Sequence, residues 1–382
     1  MWENEVLMMR MNPFKPTAGA EPPVLAGRDG ILYDFEMGLE EGVGAPGRLM
    51  RITGPRGSGK TVLLTELGDI ARRRGWRVLD VTAAERLPEL ICRRLERSSD
   101  AEYELGIDLM VVKASARLGD KGESADDVYE ALGRVARALT KHGKGLLVTI
   151  DEIQDASIGE VREIAVAIQH LIREKQNIAF IFAGLTSGVM DLLGEDGPTF
   201  LRRAYPEELG TIPTDEVAAA LRSTIEKNGM AIDDAALAAA ADATAGYAYL
   251  IQLVGYNIWR CAQIRREGDE GSILAEDVQR GIRAARDDFD RCVLEAAIGH
   301  LPKTAMEYLL AMTEDYGASS TGEIAARLRV GASSLTSTRK LLVSRQIIEP
   351  TARGYVTFSI PFMREYLVQN RRSLLARYGV EL

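Results

Sequence analysis

The sequence has few residues of the kinds that build metal centres, disulfide frameworks and membrane spans. Its three cysteines, Cys92, Cys261 and Cys292, are far apart and form no CxxC pair, which argues against structural zinc and against a disulfide framework. The three histidines show no metal-ligand spacing. No apolar run is long enough to span a bilayer, and the N-terminal residues resemble neither a signal peptide nor a transit peptide. We therefore expect a cytoplasmic protein with no membrane contact.

The charge of the 382-residue chain is unevenly distributed. Its net charge of −9 argues against a protein that is coated in nucleic acid. Between Arg291 and Leu382, however, there are 12 Lys/Arg against 8 Asp/Glu, a net charge of +4, which leaves −13 on the rest of the chain. If the protein contacts DNA, we expect the contact in this C-terminal quarter.

Apolar segments alternate with amphipathic segments in the first half of the chain. A turn and a helix are predicted over 25–41. The pattern then predicts strands over 48–54, 76–83, 145–151 and 177–184, and helices over 60–75, 87–99, 124–143 and 161–176. The residues 101–124 are predicted to be a loop or a hairpin insertion. This alternation, with all-apolar strands, is typical of an α/β fold with a parallel sheet covered on both faces.

The first predicted strand leads into a glycine-rich loop. The eight residues of this loop fit G-x-x-x-x-G-K-[ST] in full, and they are Gly54, Pro55, Arg56, Gly57, Ser58, Gly59, Lys60 and Thr61, with Val62 next in the following helix. Glycines let backbone N–H groups surround a β-phosphate, Lys60 supplies a charge for the β/γ oxygens, and Thr61 supplies a hydroxyl for Mg²⁺. A strand before the loop and a helix after it are the context that a phosphate-binding loop requires, so a chance glycine turn is the weaker interpretation.

An Asp–Glu pair ends the apolar strand predicted over 145–151. Asp151 is placed to hold Mg²⁺, and Glu152 is placed to orient and activate an attacking water. The alternative is that Asp151 only caps the next helix. The loop supplies the phosphate contacts, and the acidic pair supplies a further metal ligand and a base for water. Together they predict a Mg·ATP site.

Further polar residues follow the strand predicted over 177–184. Thr186 is a candidate contact for the γ-phosphate or the water, although a turn-forming role is an equal alternative. Arg202 and Arg203 are candidate arginine fingers that act on a neighbouring subunit's ATP; a solvated pair packed against acids is as plausible for either one.

Four helices without strand signals are predicted over 214–229, 232–246, 246–266 and 274–290. Together with the loop, the Asp–Glu pair, the polar residue and the arginines, they resemble the AAA+ ATPases, in the origin-recognition and archaeal-type, STAND-like branch. The segment LAGRDG resembles that branch's N-terminal box, which implies that Leu25, Ala26 and Arg28 flank the nucleotide base or the interdomain cleft. The chain departs from many AAA+ lids, because Tyr247 and Tyr249 stand where a lid arginine is expected. The resemblance therefore implies slow or partner-stimulated hydrolysis.

The basic C-terminal segment predicts a winged helix-turn-helix. Helices are predicted over 303–317, 320–330 and 333–346, the second opened by a Ser320–Glu323 capping box, and two short strands surround 352–354. Leu335 and Leu342 would face the core. The candidate DNA contacts face outward, and they are Ser334, Thr336, Ser337, Lys340 and Arg353 on the wing. Winged helices also dock on proteins, so protein docking stays open.

The whole pattern predicts four segments: an irregular N-terminal segment (1–24), an AAA+ α/β nucleotide-binding core (25–210), a helical lid (211–290) and a winged helix (291–382). The first interpretation is a Mg-ATP-dependent ATPase that switches an assembly on DNA, with a replication initiator as a weaker variant. The second is a STAND-like signalling ATPase whose winged helix docks on protein. A homo-oligomer or a protein partner would supply or receive the arginine finger.

Overall fold

The computed structural model describes residues 11–17, 22–101, 127–265 and 271–380, with the side chains of 97–101 outside this description. The chain divides into two units. We call Arg28–Gly54 with Gly59–Gly210 the α/β unit, and Met1–Gly27, Pro55–Ser58 and Thr211–Leu382 the helical unit. The predicted loop or hairpin over 101–124 lies outside the described residues, apart from Ala101.

A five-stranded parallel sheet organises the α/β unit. The strands are β1 (Leu49–Thr53), β2 (Arg77–Thr82), β3 (Leu146–Asp151), β4 (Ile178–Gly184) and β5 (Tyr205–Glu208), in the spatial order β2-β3-β4-β1-β5. β1 is parallel to both of its neighbours, with Ile52 opposite Ala183 on β4 and Glu207 on β5. Every residue of β4 is buried, and so are the first five of β3. The predicted parallel sheet is therefore confirmed.

Two helices of this unit begin at side-chain caps. The helices of the unit are α1 (Asp29–Glu41), α2 (Lys60–Arg73), α3 (Leu87–Ala101), α4 (Val128–Lys141), α5 (Ile158–Arg173) and α6 (Thr186–Leu192). Asp127 caps α4, because its side chain accepts a hydrogen bond from the Tyr129 N–H group. Ser157 and Glu160 form a reciprocal capping box at the start of α5. Each cap satisfies N–H groups that a helix terminus otherwise leaves unpaired.

β5 is a strand that the sequence pattern did not predict. Its residues, Tyr-Pro-Glu-Glu, include a proline and two acids, and three of the four are exposed. Such residues are rare in central strands but are accepted at a sheet edge, where one row of backbone groups faces solvent. Among the strands of the described residues, β5 pairs with β1 alone, so it extends the sheet beyond the strand that leads into the glycine loop.

The helical unit contains the four predicted helices, and they are α7 (Thr214–Lys227), α8 (Asp234–Asp242), α9 (Ala248–Ile264) and α10 (Ala275–Phe289). Two strands of two residues each, β6 (Ala231–Ile232) and β7 (Ser272–Ile273), pair in parallel between them and were not predicted. Asp233 caps α8 by accepting a hydrogen bond from the Ala236 N–H group. Strands this short have no sequence periodicity from which they could be recognised.

The C-terminal elements have the order of a winged helix. They are α11 (Glu295–Ile298), α12 (Lys303–Met312), β8 (Ser319–Ser320), α13 (Thr321–Arg327), α14 (Thr336–Ser344), β9 (Ile348–Ala352), β10 (Tyr355–Phe358), α15 (Met363–Gln369) and α16 (Arg371–Tyr378). The three strands form an antiparallel sheet in the order β8-β10-β9. The predicted Ser320–Glu323 capping box is wrong, since Ser320 makes no side-chain cap. Ser320 instead belongs to β8, which pairs with β10.

One apolar core joins the helices α7 to α10 to the C-terminal elements within the helical unit. The ring of Phe289, at the end of α10, contacts the rings of Tyr247, Tyr249 and Phe362. A π-helical turn, Asp290–Leu294, carries the chain from α10 directly into α11. The C-terminal elements are therefore packed against the four-helix segment, and no loop separates α10 from α11. Among the described residues, no helix combines the length and the apolar character that crossing a membrane demands.

The described part of the N-terminal segment has no helix or strand, yet it is anchored in the helical unit. Phe14 is 1% exposed. The Asn12 side chain donates a hydrogen bond to the Tyr256 carbonyl, 2.9 Å away, and a Cβ on Gly255 would lie 2.7 Å from Phe14 Cγ. Glycine on α9 thus leaves the space that the phenyl ring fills.

Because the Phe14 ring is fully buried, Phe14→Ala is expected to lower the free energy of unfolding of the helical unit by about 3–5 kcal/mol. Chemical denaturation followed by circular dichroism measures this change. Met11→Ala is the matched control, since Met11 is 84% exposed. Equal stability of the two variants would show that the segment does not anchor the unit.

Candidate active site

The glycine loop leaves β1 and ends at the first turn of α2. Gly59 precedes the helix with φ 92°, in the left-handed region where a side chain is strained. This conformation directs the chain into α2, whose N-terminal N–H groups and dipole favour an anion. The local geometry is therefore compatible with the predicted phosphate-binding loop.

Lys60 is the first residue of α2, and it is buried, with 5% of its surface exposed. Its Nζ donates a hydrogen bond to the Gly54 carbonyl at the other end of the loop, 2.9 Å away. A buried ammonium group is stabilised by such acceptors and attracts an anion strongly. Lys60 is thus held where the two ends of the loop meet, and its role as a phosphate ligand stays a prediction.

The structure brings Thr61 and Asp151 together. The Thr61 hydroxyl donates a hydrogen bond to Asp151 Oδ2 over 2.6 Å, although 90 residues separate the two in sequence. Asp151 ends β3, and its other oxygen, Oδ1, accepts the Glu152 N–H group at 2.9 Å. A hydroxyl and a carboxylate are hard oxygen ligands of the kind that Mg²⁺ prefers, so this pair fits the predicted metal role.

Glu152 directly follows β3 and is half-buried. Its backbone has φ 50° and ψ 43°, which is the left-handed region. A residue other than glycine is uncommon there, and such conformations are held by their surroundings. Gln154 contributes to this, because its Nε2 donates a hydrogen bond to Glu152 Oε2 at 2.7 Å. Gln154 was not predicted from the sequence.

Comparison with known proteins agrees with this geometry. Residues 24–182 match the family model described as an AAA ATPase domain. Most of the α/β unit thus matches an AAA ATPase domain, and the unit has the AAA+ fold. Residues 292–367 match a second family model, described as a domain of unknown function (DUF8462). None of the curated proteins matches the chain in sequence.

Solved structures show the same fold over almost the whole chain. The Walker-type ATPase of Pyrococcus abyssi has a TM-score of 0.63 at 15% identity, over 90% of this chain and 96% of that one. The Orc2 protein of Aeropyrum pernix, described in ADPNP–ADP complexes, has 0.60 at 15% identity, over 96% and 98%. Cdc6p of Pyrobaculum aerophilum has 0.51 at 18% identity, over 95% and 97%. The suspected likeness to origin-recognition AAA+ proteins is thus a likeness of fold.

Thr186, the predicted γ-phosphate contact of the AAA+ domain, is the first residue of α6. It directly follows the turn at the end of β4, and it is half-buried. The carboxyl ends of parallel strands are where α/β sheets bind ligands. The position of Thr186 is therefore compatible with its predicted role.

The two candidate arginine fingers differ in their surroundings. The Arg202 guanidinium donates to the carbonyls of Leu193 (2.8 Å), Gly194 and Glu195 (3.0 Å), so it holds the loop after α6 in its own chain. Arg203 is exposed, and its guanidinium makes no hydrogen bond or ion pair with residues that the structure describes. Arg203 is the better candidate for contact with another subunit.

The tip of the glycine loop, Pro55–Ser58, belongs to the helical unit. The Tyr247 hydroxyl donates to the Arg56 carbonyl, and the Arg56 N–H group donates to Gln346 Oε1 at 3.2 Å. Burial raises the pKa of Tyr247 to about 12, so the hydroxyl stays a neutral donor at any physiological pH. Tyr247, which stands where a lid arginine was expected, therefore contacts the loop backbone through a hydrogen bond.

Three nucleotide-binding candidates remain, and they are Leu25, Arg28 and Val62. Leu25 is half-buried before the turn that leads into α1. Arg28 is buried, and its carbonyl accepts the Leu32 N–H group in the first turn of α1. Val62 is half-buried on α2. On β5, burial, followed by the negative charge of Asp34, raises the pKa of the Glu207 carboxyl.

The candidate DNA contacts form an exposed face. Ser334 lies in a 3-10 turn (Ala332–Leu335) before α14, and Thr336, Ser337 and Lys340 lie on α14. All four are exposed, as is Arg353 between β9 and β10. Leu335 and Leu342 are buried, as predicted. The 3-10 turn, α14 and the wing therefore present the predicted side chains to solvent.

Proposed function

We propose that this protein binds Mg·ATP in its AAA+ domain, hydrolyses it, and uses the nucleotide state to control how its C-terminal winged helix binds DNA. The proposal rests on two hydrogen bonds of the Arg56 backbone, one through its carbonyl and one through its N–H group. This residue of the glycine loop is hydrogen-bonded to Tyr247 and to Gln346, two residues beyond α14. A change of loop conformation on nucleotide binding would alter both contacts.

In this proposal the loop binds the phosphates through backbone N–H groups, the N-terminus of α2 and Lys60. Thr61 and Asp151 would hold Mg²⁺, which supplies charge neutralisation at the β- and γ-phosphate oxygens. The nucleotide reported in the description of the Aeropyrum pernix Orc2 complexes supports a nucleotide site in this fold. Leu25 and Arg28 would contact or flank the base.

Glu152 would accept a proton from the attacking water, and Thr186 would contact the γ-phosphate or that water. A second copy of the chain would supply an arginine finger, which we assign to Arg203. Arg202 already binds three carbonyl groups of its own chain, so its release would first break these hydrogen bonds. Hydrolysis would therefore be slow in the isolated chain and faster in an assembly.

DNA binding is supported by the exposed polar face of α14, by Arg353 on the wing and by the excess of basic residues after Arg291. Lys340 and Arg353 would contact phosphates, whereas Ser334, Thr336 and Ser337 would lie against the groove. The face has few cations, so we expect moderate affinity that depends on salt.

A salt series tests this contact. Lys340→Ala and Arg353→Ala are each expected to weaken binding of a labelled mixed-sequence duplex and to reduce the slope of log K against log salt by about 1. Fluorescence anisotropy measures both. Arg372→Ala is the matched control, because Arg372 is an exposed arginine on α16 outside the proposed face. An equal loss in the control, or no loss in either variant, would contradict the assignment.

A STAND-like signalling switch is the second candidate, in which the C-terminal elements dock on protein and turnover is low. The apolar core that they share with α7 to α10 favours it, because this packing holds the winged helix within the helical unit. Absence of DNA binding at low salt in every nucleotide state would support this candidate and would end the first.

A further inference from the structure

Gln154 connects the two strand ends that carry the proposed catalytic groups. It lies in the 3-10 turn Ile153–Asp155 after β3 and is half-buried. Its Nε2 donates to Glu152 Oε2 at 2.7 Å, and its Oε1 accepts the Leu185 N–H group at 3.1 Å. Leu185 is the residue between β4 and α6. One amide group thus bridges the Glu152 carboxylate and the turn that leads into Thr186.

Two glycines leave the space for this side chain. A Cβ on Gly188 would lie 2.7 Å from Gln154 Cβ and 2.8 Å from its Cγ, and a Cβ on Gly184 would overlap Gln154 Oε1. Separations under 3 Å require atoms to move, so the backbone of β4 and α6 packs directly against Gln154. The side chain has little freedom to leave its hydrogen bonds.

The backbone of Glu152 is fixed at the same time. Its N–H group donates to Asp151 Oδ1, and the next residue, Ile153, is fully buried. Between these two anchors Glu152 adopts the left-handed conformation, which is unfavourable for a residue other than glycine. Its main chain is therefore positioned by Asp151 and Ile153, and its carboxylate by Gln154.

We propose that Gln154 is a positioning residue for ATP hydrolysis, whose amide fixes the Glu152 carboxylate and ties it to the turn that carries Thr186. The assignment rests on the proposed ATPase activity of this site. The position demands a donor toward the carboxylate and an acceptor toward the Leu185 N–H group. A glutamine amide supplies both at once, whereas an ionised glutamate supplies only the acceptor and methionine supplies no comparable donor or acceptor.

Gln154→Met keeps an unbranched side chain of similar length and removes the amide. We expect kcat for ATP to fall about 10- to 100-fold, less than the ~10²–10⁴-fold that a general base contributes. The KM for ATP should stay within about threefold, because the substitution removes hydrogen bonds to Glu152 and Leu185, neither of which belongs to the glycine loop. Steady-state phosphate release measures both constants.

Gln154→Glu gives a readout that a purely structural role would not produce. The introduced carboxylate, when ionised, repels Glu152 and cannot donate to it, but when protonated it offers an O–H donor in place of the amide. Two carboxylates in contact share a proton more readily as the pH falls. The kcat of Gln154→Glu relative to wild type should therefore rise between about pH 8 and about pH 6, while the ratio for Gln154→Met stays flat.

Gln169→Met and Gln169→Glu are the matched controls, since Gln169 is exposed on α5. Circular dichroism and ADP affinity verify that each variant is folded. Two outcomes would overturn the role of Gln154 alone: a kcat of Gln154→Met within twofold of an active wild type, or a pH-independent ratio for Gln154→Glu. A wild-type protein that releases no phosphate at all would instead overturn the proposed activity, and the role of Gln154 with it.

Discussion

Lys60→Ala is expected to raise the dissociation constants of ATP and ADP at least about 25-fold. The ammonium group is buried and hydrogen-bonded to the Gly54 carbonyl, so its charge would act on the phosphate oxygens of a bound nucleotide with little screening. Removing one member of a buried, hydrogen-bonded charge pair costs about 2–5 kcal/mol, and each 1.4 kcal/mol is tenfold in affinity. Isothermal titration calorimetry with each nucleotide measures the change.

Lys141→Ala provides the control, because Lys141 ends α4 and is exposed. It removes the same charge from the same unit without touching the loop. If Lys60→Ala bound nucleotide within threefold of this control, the glycine loop would not be the nucleotide site. The assignments of Thr61 and Asp151 would then also lose their basis.

Glu152→Gln is expected to lower kcat for ATP about 10²–10⁴-fold, the contribution of a general base. Affinity for ATP should remain within about threefold of wild type, because the variant removes proton acceptance and leaves the loop intact. A glutamine amide oxygen still accepts a hydrogen bond, so the contact from Gln154 can persist. Single-turnover hydrolysis and equilibrium binding of ATP separate the two effects.

Asp155→Asn is the control for this variant. It makes the same carboxylate-to-amide change three residues away, at an exposed position. We expect its kcat to match that of wild type. A Glu152→Gln variant that also kept wild-type turnover would remove Glu152 from the proposed chemistry.

Much of the AAA+ fold was predictable because its signals are local. The strands β1 to β4 are apolar runs, and the loop from Gly54 to Thr61 has a fixed spacing that a phosphate site requires. The contact between Thr61 and Asp151 follows from topology, since parallel strands place their carboxyl ends at one edge of the sheet. The order of helices in the helical unit was likewise readable from apolar periodicity.

The features that were missed depend on tertiary context. β5 is recognisable only as the partner of β1, because its own residues have low strand propensity. Phe14 lies in a segment without periodicity, and its burial requires the groove beside Gly255. Ser320 has the sequence of a helix cap, but pairing of β8 with β10 determines its conformation.

Gln154 illustrates the same limit within the site. Its hydrogen bond to Glu152 depends on the left-handed backbone of Glu152, and its second bond depends on the turn after β4. Neither hydrogen bond can be deduced from the spacing of Glu152 and Gln154 in the sequence. Arg202 and Arg203 could not be distinguished from sequence for a similar reason: only the path of the loop after α6 shows which guanidinium binds backbone carbonyls.

If the nucleotide state of the loop controls DNA binding, DNA affinity must differ between the ATP and ADP states. The DNA affinity of Glu152→Gln, which should retain ATP, is measured at one low salt concentration with ATP, with ADP and without nucleotide. We predict dissociation constants that differ at least about fivefold between ATP and ADP, the lower range of allosteric coupling. The same affinity for DNA in all three states, in a variant that demonstrably binds both nucleotides, would contradict the account.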